Sequence, residues 1–185
     1  MSYIDRKRFQ EAMIQLCLQR EPEYLVTVHF HNRYPIGIGE AERRMWHFDA
    51  MLDRAFLGPT WAKAPADRRA QFVGIPEGRR GGAGYSDLHY HLLLRPARRD
   101  KPSDTEKLLH QVTLAYEAKC LSTGSVDIQR LRGDQDKLRA ASYICKYIWD
   151  QTSPGIDHFL VAPKTLTITS PSVQQVSSTL AVNIS

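Results

Sequence analysis

The stretch "DLHYHLLLR", Asp87 to Arg95, constrains this chain more than any other. Its residues alternate in the two-residue period of a β-strand, so His89 and His91 fall on one face while Tyr90, Leu92 and Leu94 fall on the other. Such a strand needs an apolar layer behind it and leaves two imidazoles side by side in front. Same-face neighbours stand about 7 Å apart along a strand, close enough for both rings to reach one metal ion.

Similar alternation recurs elsewhere. In "YLVTVHF", Val26, Val28 and Phe30 oppose Thr27 and His29, and in "GSVDIQRLRG", Val126 and Ile128 oppose Asp127 and Gln129. "AQFVGIPE" reads as a further strand, joined to the histidine strand through the glycine-rich "GRRGGAG" as an antiparallel hairpin. Helical spacing marks residues 2–20, "EAERRMWHFDAMLDRAFL", "SDTEKLLHQVTLAYEAKC" and "DQDKLRAASYICKYIWD". Ser103 and Glu106 make a capping-box pattern at the start of the third. In the last, Leu138, Ala141, Ile144, Cys145 and Ile148 form the expected buried stripe, and Tyr143, Lys146 and Tyr147 share the other side.

This order predicts an α+β fold: an antiparallel sheet with helices on one face, in the split β-α-β-β-α-β arrangement of ferredoxin-like and RNA-recognition modules. The first helix, 2–20, is then an N-terminal addition, and the histidine pair sits on an open polar sheet face. Residues 1–162 read as a single domain, and 163–185 as a Ser/Thr-rich tail or extra strand.

Composition narrows the class. At 185 residues, with 42% hydrophobic and 24% charged residues, the chain matches a globular domain able to bury a core. The net charge of +5 tilts it towards a polyanionic partner. Three scattered cysteines, the lack of a long apolar run and an N-terminus without a signal-peptide core point to a cytoplasmic protein with reduced thiols and no membrane span.

Two histidines want a third ligand. Glu77 ends the strand before the hairpin and is the nearest carboxylate across it, while Asp87 shares a face with His89 and competes. Pro76 disturbs the alternation next to Glu77, so parity does not decide between them. Mixed imidazole and carboxylate ligation admits Mn²⁺, or Mg²⁺ with further oxygens from water and substrate. The tyrosine helix adds a nucleophile type. A phenol has a reference pKa of about 10 and is weak at neutral pH, but an adjacent lysine and a metal-polarised phosphate would assist it.

Together these pieces resemble the HUH endonucleases, in particular the rolling-circle replication initiator (Rep) proteins of plasmids and phages. "YLVTVHF" resembles the family's first motif, with His29 in place of its second threonine. "LHYHLLL" resembles the His-hydrophobic-His motif, preceded by the carboxylate of "IPE", and "YICKY" resembles the Tyr-x-x-Lys motif with a second tyrosine. The resemblance spans roughly residues 24–150 and includes no helicase P-loop.

The resemblance implies an HUH nuclease fold and a metal-dependent, sequence-specific endonuclease that nicks and rejoins single-stranded DNA. Glu77, His89 and His91 would hold Mn²⁺ or Mg²⁺, Tyr143 would form a 5′-phosphotyrosine link, Lys146 would neutralise charge, and Tyr147 would be a second candidate nucleophile. Thr27, His29, Arg79, Arg80 and Arg95 are the candidate DNA contacts. Partners would be an origin hairpin or nick site and a host helicase. Rival readings are a transposase or relaxase with the same chemistry, a non-catalytic single-stranded nucleic-acid binder, and a zinc protein that needs no tyrosine.

Overall fold

Alternation in the histidine strand is realised as a long β-hairpin around which the rest of the chain assembles. The computed structural model describes residues 3–30, 36–81, 84–97, 103–121, 123–146, 148 and 158–163. The strands are β1 (Tyr24–His29), β2 (Gln71–Gly81), β3 (Gly84–Arg95), β4 (Ser125–Arg130) and β5 (Leu160–Ala162). The helices are α1 (Tyr3–Gln19), α2 (Ile38–Leu57), α3 (Ser103–Cys120) and α4 (Gly133–Ile144), with two single 3₁₀ turns between α2 and β2.

All strand pairs are antiparallel, in the order β4-β1-β3-β2-β5. The chain is therefore α+β, and its first four strands are compatible with a ferredoxin-like arrangement. β5, which the sequence pattern did not reveal, adds an edge beside β2 over Phe72–Gly74. The hairpin is longer than expected: Arg79 and Arg80 continue the ladder opposite Ser86 and Tyr85, with a bulge between Glu77 and Arg79. "GRRG" is thus strand rather than loop.

The helices cover both faces, which corrects the expectation of helices on one face. On one side, α2 and α3 pack Met45, Phe48, Leu52, Leu109 and Tyr116 against Val26, Val28, Phe72, Tyr90, Leu92 and Leu94. On the other, Met13 and Cys17 of α1 and Ala140, Ala141 and Ile144 of α4 pack on Val73, Ile75 and Leu93. The reason lies in β2 and β3. Phe72 and Val73, and likewise Leu92 and Leu93, are adjacent apolar residues that must both be buried, so this part of the sheet has two apolar faces. α1 is accordingly part of a second core rather than an appended helix.

Within that core, Cys17 and Cys145 join α1 to the end of α4. A hydrogen bond with Cys145, together with burial, pushes the Cys17 thiol well above its ordinary value. The two are far apart in sequence, so their meeting is a tertiary fact. α4 also differs from its expected form. It ends at Ile144, not near residue 150, and Leu138 is 44% exposed while Ala140 takes the buried position. Small alanines let α4 lie close to the sheet, and the larger Leu138 turns outward.

A polar latch fixes the connection from α2 to β2. Arg69 Nε donates to Asp53 Oδ2 at 2.5 Å, the Ala70 N–H donates to Asp53 Oδ1 at 2.7 Å, and the Arg69 guanidinium lies over the Trp61 ring. Asp49 sits 3.6 Å from the same arginine. Burial, reinforced by the Asp53 charge, lifts the Asp49 carboxyl to about 7 despite Arg69. Among the described residues, no helix is long and apolar enough to cross a membrane.

Candidate metal centre

The site forms where the front face of the sheet changes from apolar to polar. Along β3, Leu93 belongs to the second core, but His91 and then His89 succeed it on the same face. Antiparallel register brings Glu77 of β2 directly opposite His89, and Thr27 of β1 directly opposite His91. Glu77 Oε2 lies 3.7 Å from His89 Nε2 and 3.3 Å from His91 Nε2. Ligand atoms of Glu77, His89 and His91 all fall within 4.8 Å of one another, the one such cluster among the described residues. The register across the hairpin thus brings Glu77, rather than the Asp87 carboxylate, to the histidine pair.

Asp87 has a different part. Its φ of 52° is in the left-handed region, tolerated by aspartate better than by most residues. Its backbone carbonyl accepts a hydrogen bond from His89 Nδ1–H at 2.8 Å. That bond orients the ring so that its Nε2 faces Glu77.

His91 is arranged in parallel. Its Nδ1 is 3.0 Å from Thr27 Oγ1, which can accept from Nδ1–H, while the buried Nε2 has no hydrogen-bond partner. Burial first, then the His89, His29 and Lys146 charges, push the His91 pKa down to about 3, so the ring is neutral at physiological pH. A buried imidazole nitrogen, a second imidazole and a carboxylate oxygen therefore converge, an arrangement that could hold a metal ion. Where both Nε2 atoms carry lone pairs, a divalent cation between them and the carboxylate would be attracted by all three groups. Two imidazoles and one carboxylate suit Mn²⁺ or Zn²⁺, and Mg²⁺ with added oxygens. The donor set fits a metal; it does not choose among these ions.

Tyr143 covers the centre from α4. Its ring meets the His91 ring edge-on, with centroids 5.1 Å apart, and it remains 43% exposed. Lys146 follows in the turn after α4 and places its ammonium 3.9 Å from the centre of the Tyr143 ring. The histidine pair is consequently not on an open face: the His91 side chain is only 7% exposed, whereas His89 and Glu77 stay accessible at 18% and 29%.

Other sequence candidates separate. Thr27 holds the His91 ring instead of standing in the open. His29 stacks on His89 at 5.2 Å and lies 3.4 Å from Asp127 across β4. Its backbone is closely overlain by Gly124, where a Cβ would come within 2.1 Å of the His29 carbonyl oxygen, so only glycine fits. Arg79 and Arg80 are exposed, and as strand neighbours they point to opposite faces of the hairpin. Arg95 lies 3.2 Å from Glu21 at the far end of β3. Tyr147 falls outside the described residues.

The supports that sequence reasoning missed are the His29–Asp127 pair and the orienting bonds from Thr27 and Asp87. Parity had put Thr27 and His29 on the right face; only the register between strands could show what they touch. No family model, no curated protein and no solved structure matches the chain, so the functional reading rests on its own residues.

Proposed function

We propose that the protein is a metal-dependent endonuclease of the HUH type, of the rolling-circle initiator kind, acting on single-stranded DNA. One observation carries this reading: a tyrosine ring packs directly on an imidazole of a His-His-Glu cluster, with a lysine ammonium over that tyrosine ring. A zinc hydrolase using water has no need of that tyrosine. A base-stacking module would place aromatics, not imidazoles and a carboxylate, on the sheet.

In this reading Glu77, His89 and His91 hold Mn²⁺ or Mg²⁺, which when bound would polarise the scissile phosphate as a Lewis acid. The Tyr143 oxygen attacks phosphorus, the bond to the 3′-oxygen breaks, and the strand is left as a 5′-phosphotyrosine with a free 3′-hydroxyl. Attack by a 3′-hydroxyl on that link rejoins the DNA and releases the tyrosine. Lys146 supplies positive charge beside the attacking phenol. Thr27 and the Asp87 carbonyl keep both imidazoles aimed, which limits reorganisation during the reaction.

The test is a covalent-adduct assay with single-stranded DNA circles and Mn²⁺. A denaturant-resistant protein–DNA species is expected, lost with chelator, with Tyr143→Phe and with His89→Ala. An adduct that survives Tyr143→Phe would sink the assignment of the nucleophile. Binding without any adduct across varied DNA would leave a binding module.

A further inference from the structure

A cleft of about 450 Å³ opens beside His91 and Tyr143, between α4 and the strands β1 and β4. Its apolar walls are Leu25, Leu131 and Ala140, and its polar groups beyond the centre are Gln129, Asp136 and Arg139. The register places Gln129 opposite Leu25 on the sheet face that also carries Thr27 and His91. The cleft is thus continuous with the candidate centre but lies beyond His91, on the β4 side of the sheet. Its volume is within the range of pockets that take a small organic group, about 300–1,000 Å³.

We propose that this cleft takes one nucleobase of the bound strand, next to the phosphate that is attacked, and that Gln129 reads the edge of that base. The inference rests on the nuclease reading and deepens it by assigning sequence selection to a defined place. A base suits the walls because it has two apolar faces and a polar edge. Leu25, Leu131 and Ala140 can meet the faces, and the Gln129 amide offers a donor and an acceptor in one plane. A phosphate suits them less: Asp136 contributes a carboxylate whose Oδ2 already accepts from the Arg132 N–H at 3.0 Å, and a second anion would be repelled. Arg139 is the one cation on the lining among the described residues and sits exposed on α4, where it can hold the backbone of the nucleotide whose base is inserted. With Lys146 at the centre, the strand would place phosphates along the α4 side and turn one base inward.

The experiment uses single-stranded circles carrying a randomised window, with the full chain and Mn²⁺, and sequences the DNA on both sides of the covalent link. Wild type is expected to prefer one base at a position immediately flanking the link. Gln129→Ala is expected to weaken that preference by about tenfold or more, at that position only, the scale of one good base contact. Arg139→Ala is expected to lower adduct yield without changing the preference. Both residues are exposed, so neither variant threatens the fold. An adduct with no flanking preference, or one whose preference is the same in Gln129→Ala, overturns the cleft assignment and leaves the nuclease standing. Absence of adduct from wild type across the whole pool overturns the nuclease reading, and the cleft assignment with it.

Discussion

The two faces of the central sheet are built from the same strands and do opposite things. Behind, Val26, Val28, Phe72, Tyr90, Leu92 and Leu94 are sealed under α2 and α3. In front, Val73, Ile75 and Leu93 are sealed under α1 and α4, but Thr27, His29, His89 and Glu77 are only partly covered. Stability is concentrated where burial is complete. The candidate metal centre lies where α4 covers His91 but leaves its neighbours accessible. Tyr90 shows how tightly the two are coupled: it fills the back core from the position between the two histidines. A shift of one residue in the β3 register would exchange core and site wholesale.

That contrast can be broken first from behind. Leu92→Ala removes a fully buried side chain from the rear core and should cost about 2–5 kcal/mol, read by urea unfolding. Metal binding should persist wherever the variant remains folded. From the front, His89→Ala should lower Mn²⁺ affinity by roughly 100-fold or more while changing stability by less than about 1 kcal/mol, because a partly exposed ligand contributes little to folding. Calorimetric titration and the same unfolding curve check both halves; a large loss of stability in that variant would show that the faces are not separable in this way.

A smaller effect tests the supports. Thr27→Val removes the hydroxyl paired with His91 Nδ1 but keeps the shape of the side chain. Affinity for Mn²⁺ should fall by about 10- to 100-fold, the usual cost of losing an orienting partner. Unchanged affinity would mean that packing under Tyr143 alone aims the ring.

A pH-dependent effect belongs to the rear latch. Asp49 has its carboxyl raised to about 7, well above the ordinary range, so its neutral form is favoured in the folded state. Its contribution is full in acid, below the unfolded value, and is lost as pH rises towards 7. Asp49→Asn imitates the neutral form. Its stability relative to wild type should therefore rise between pH 5 and pH 8, by up to about 2–3 kcal/mol, in thermal unfolding at the two pH values. A difference that is flat with pH would mean that Arg69 keeps Asp49 ionised throughout.

How far the sequence reached varied with the kind of signal. Period-two alternation placed His89 and His91 opposite Tyr90 and Leu92, and Thr27 opposite Val26 and Val28, because side-chain direction in a strand is a local property. It failed at Glu77, where Pro76 and the adjoining bulge interrupt the count, and at β5, whose three residues are too few to carry a pattern. Helical periodicity found α4 but assigned Leu138 to the buried stripe, since amphipathicity does not say which neighbour a helix meets.

The sequence by itself therefore determined the order of the helices and the first four strands, the two-sided character of β3 and the presence of a tyrosine and lysine three residues apart. Each depends on residues near one another in the chain. Tertiary structure alone decided that helices cover both faces, that Glu77 rather than Asp87 completes the cluster, and that Tyr143 rests on His91. These are contacts between elements separated by long stretches of chain. They follow from strand register and from where α1 and α4 find an apolar surface to cover, and neither is encoded in any single window of sequence.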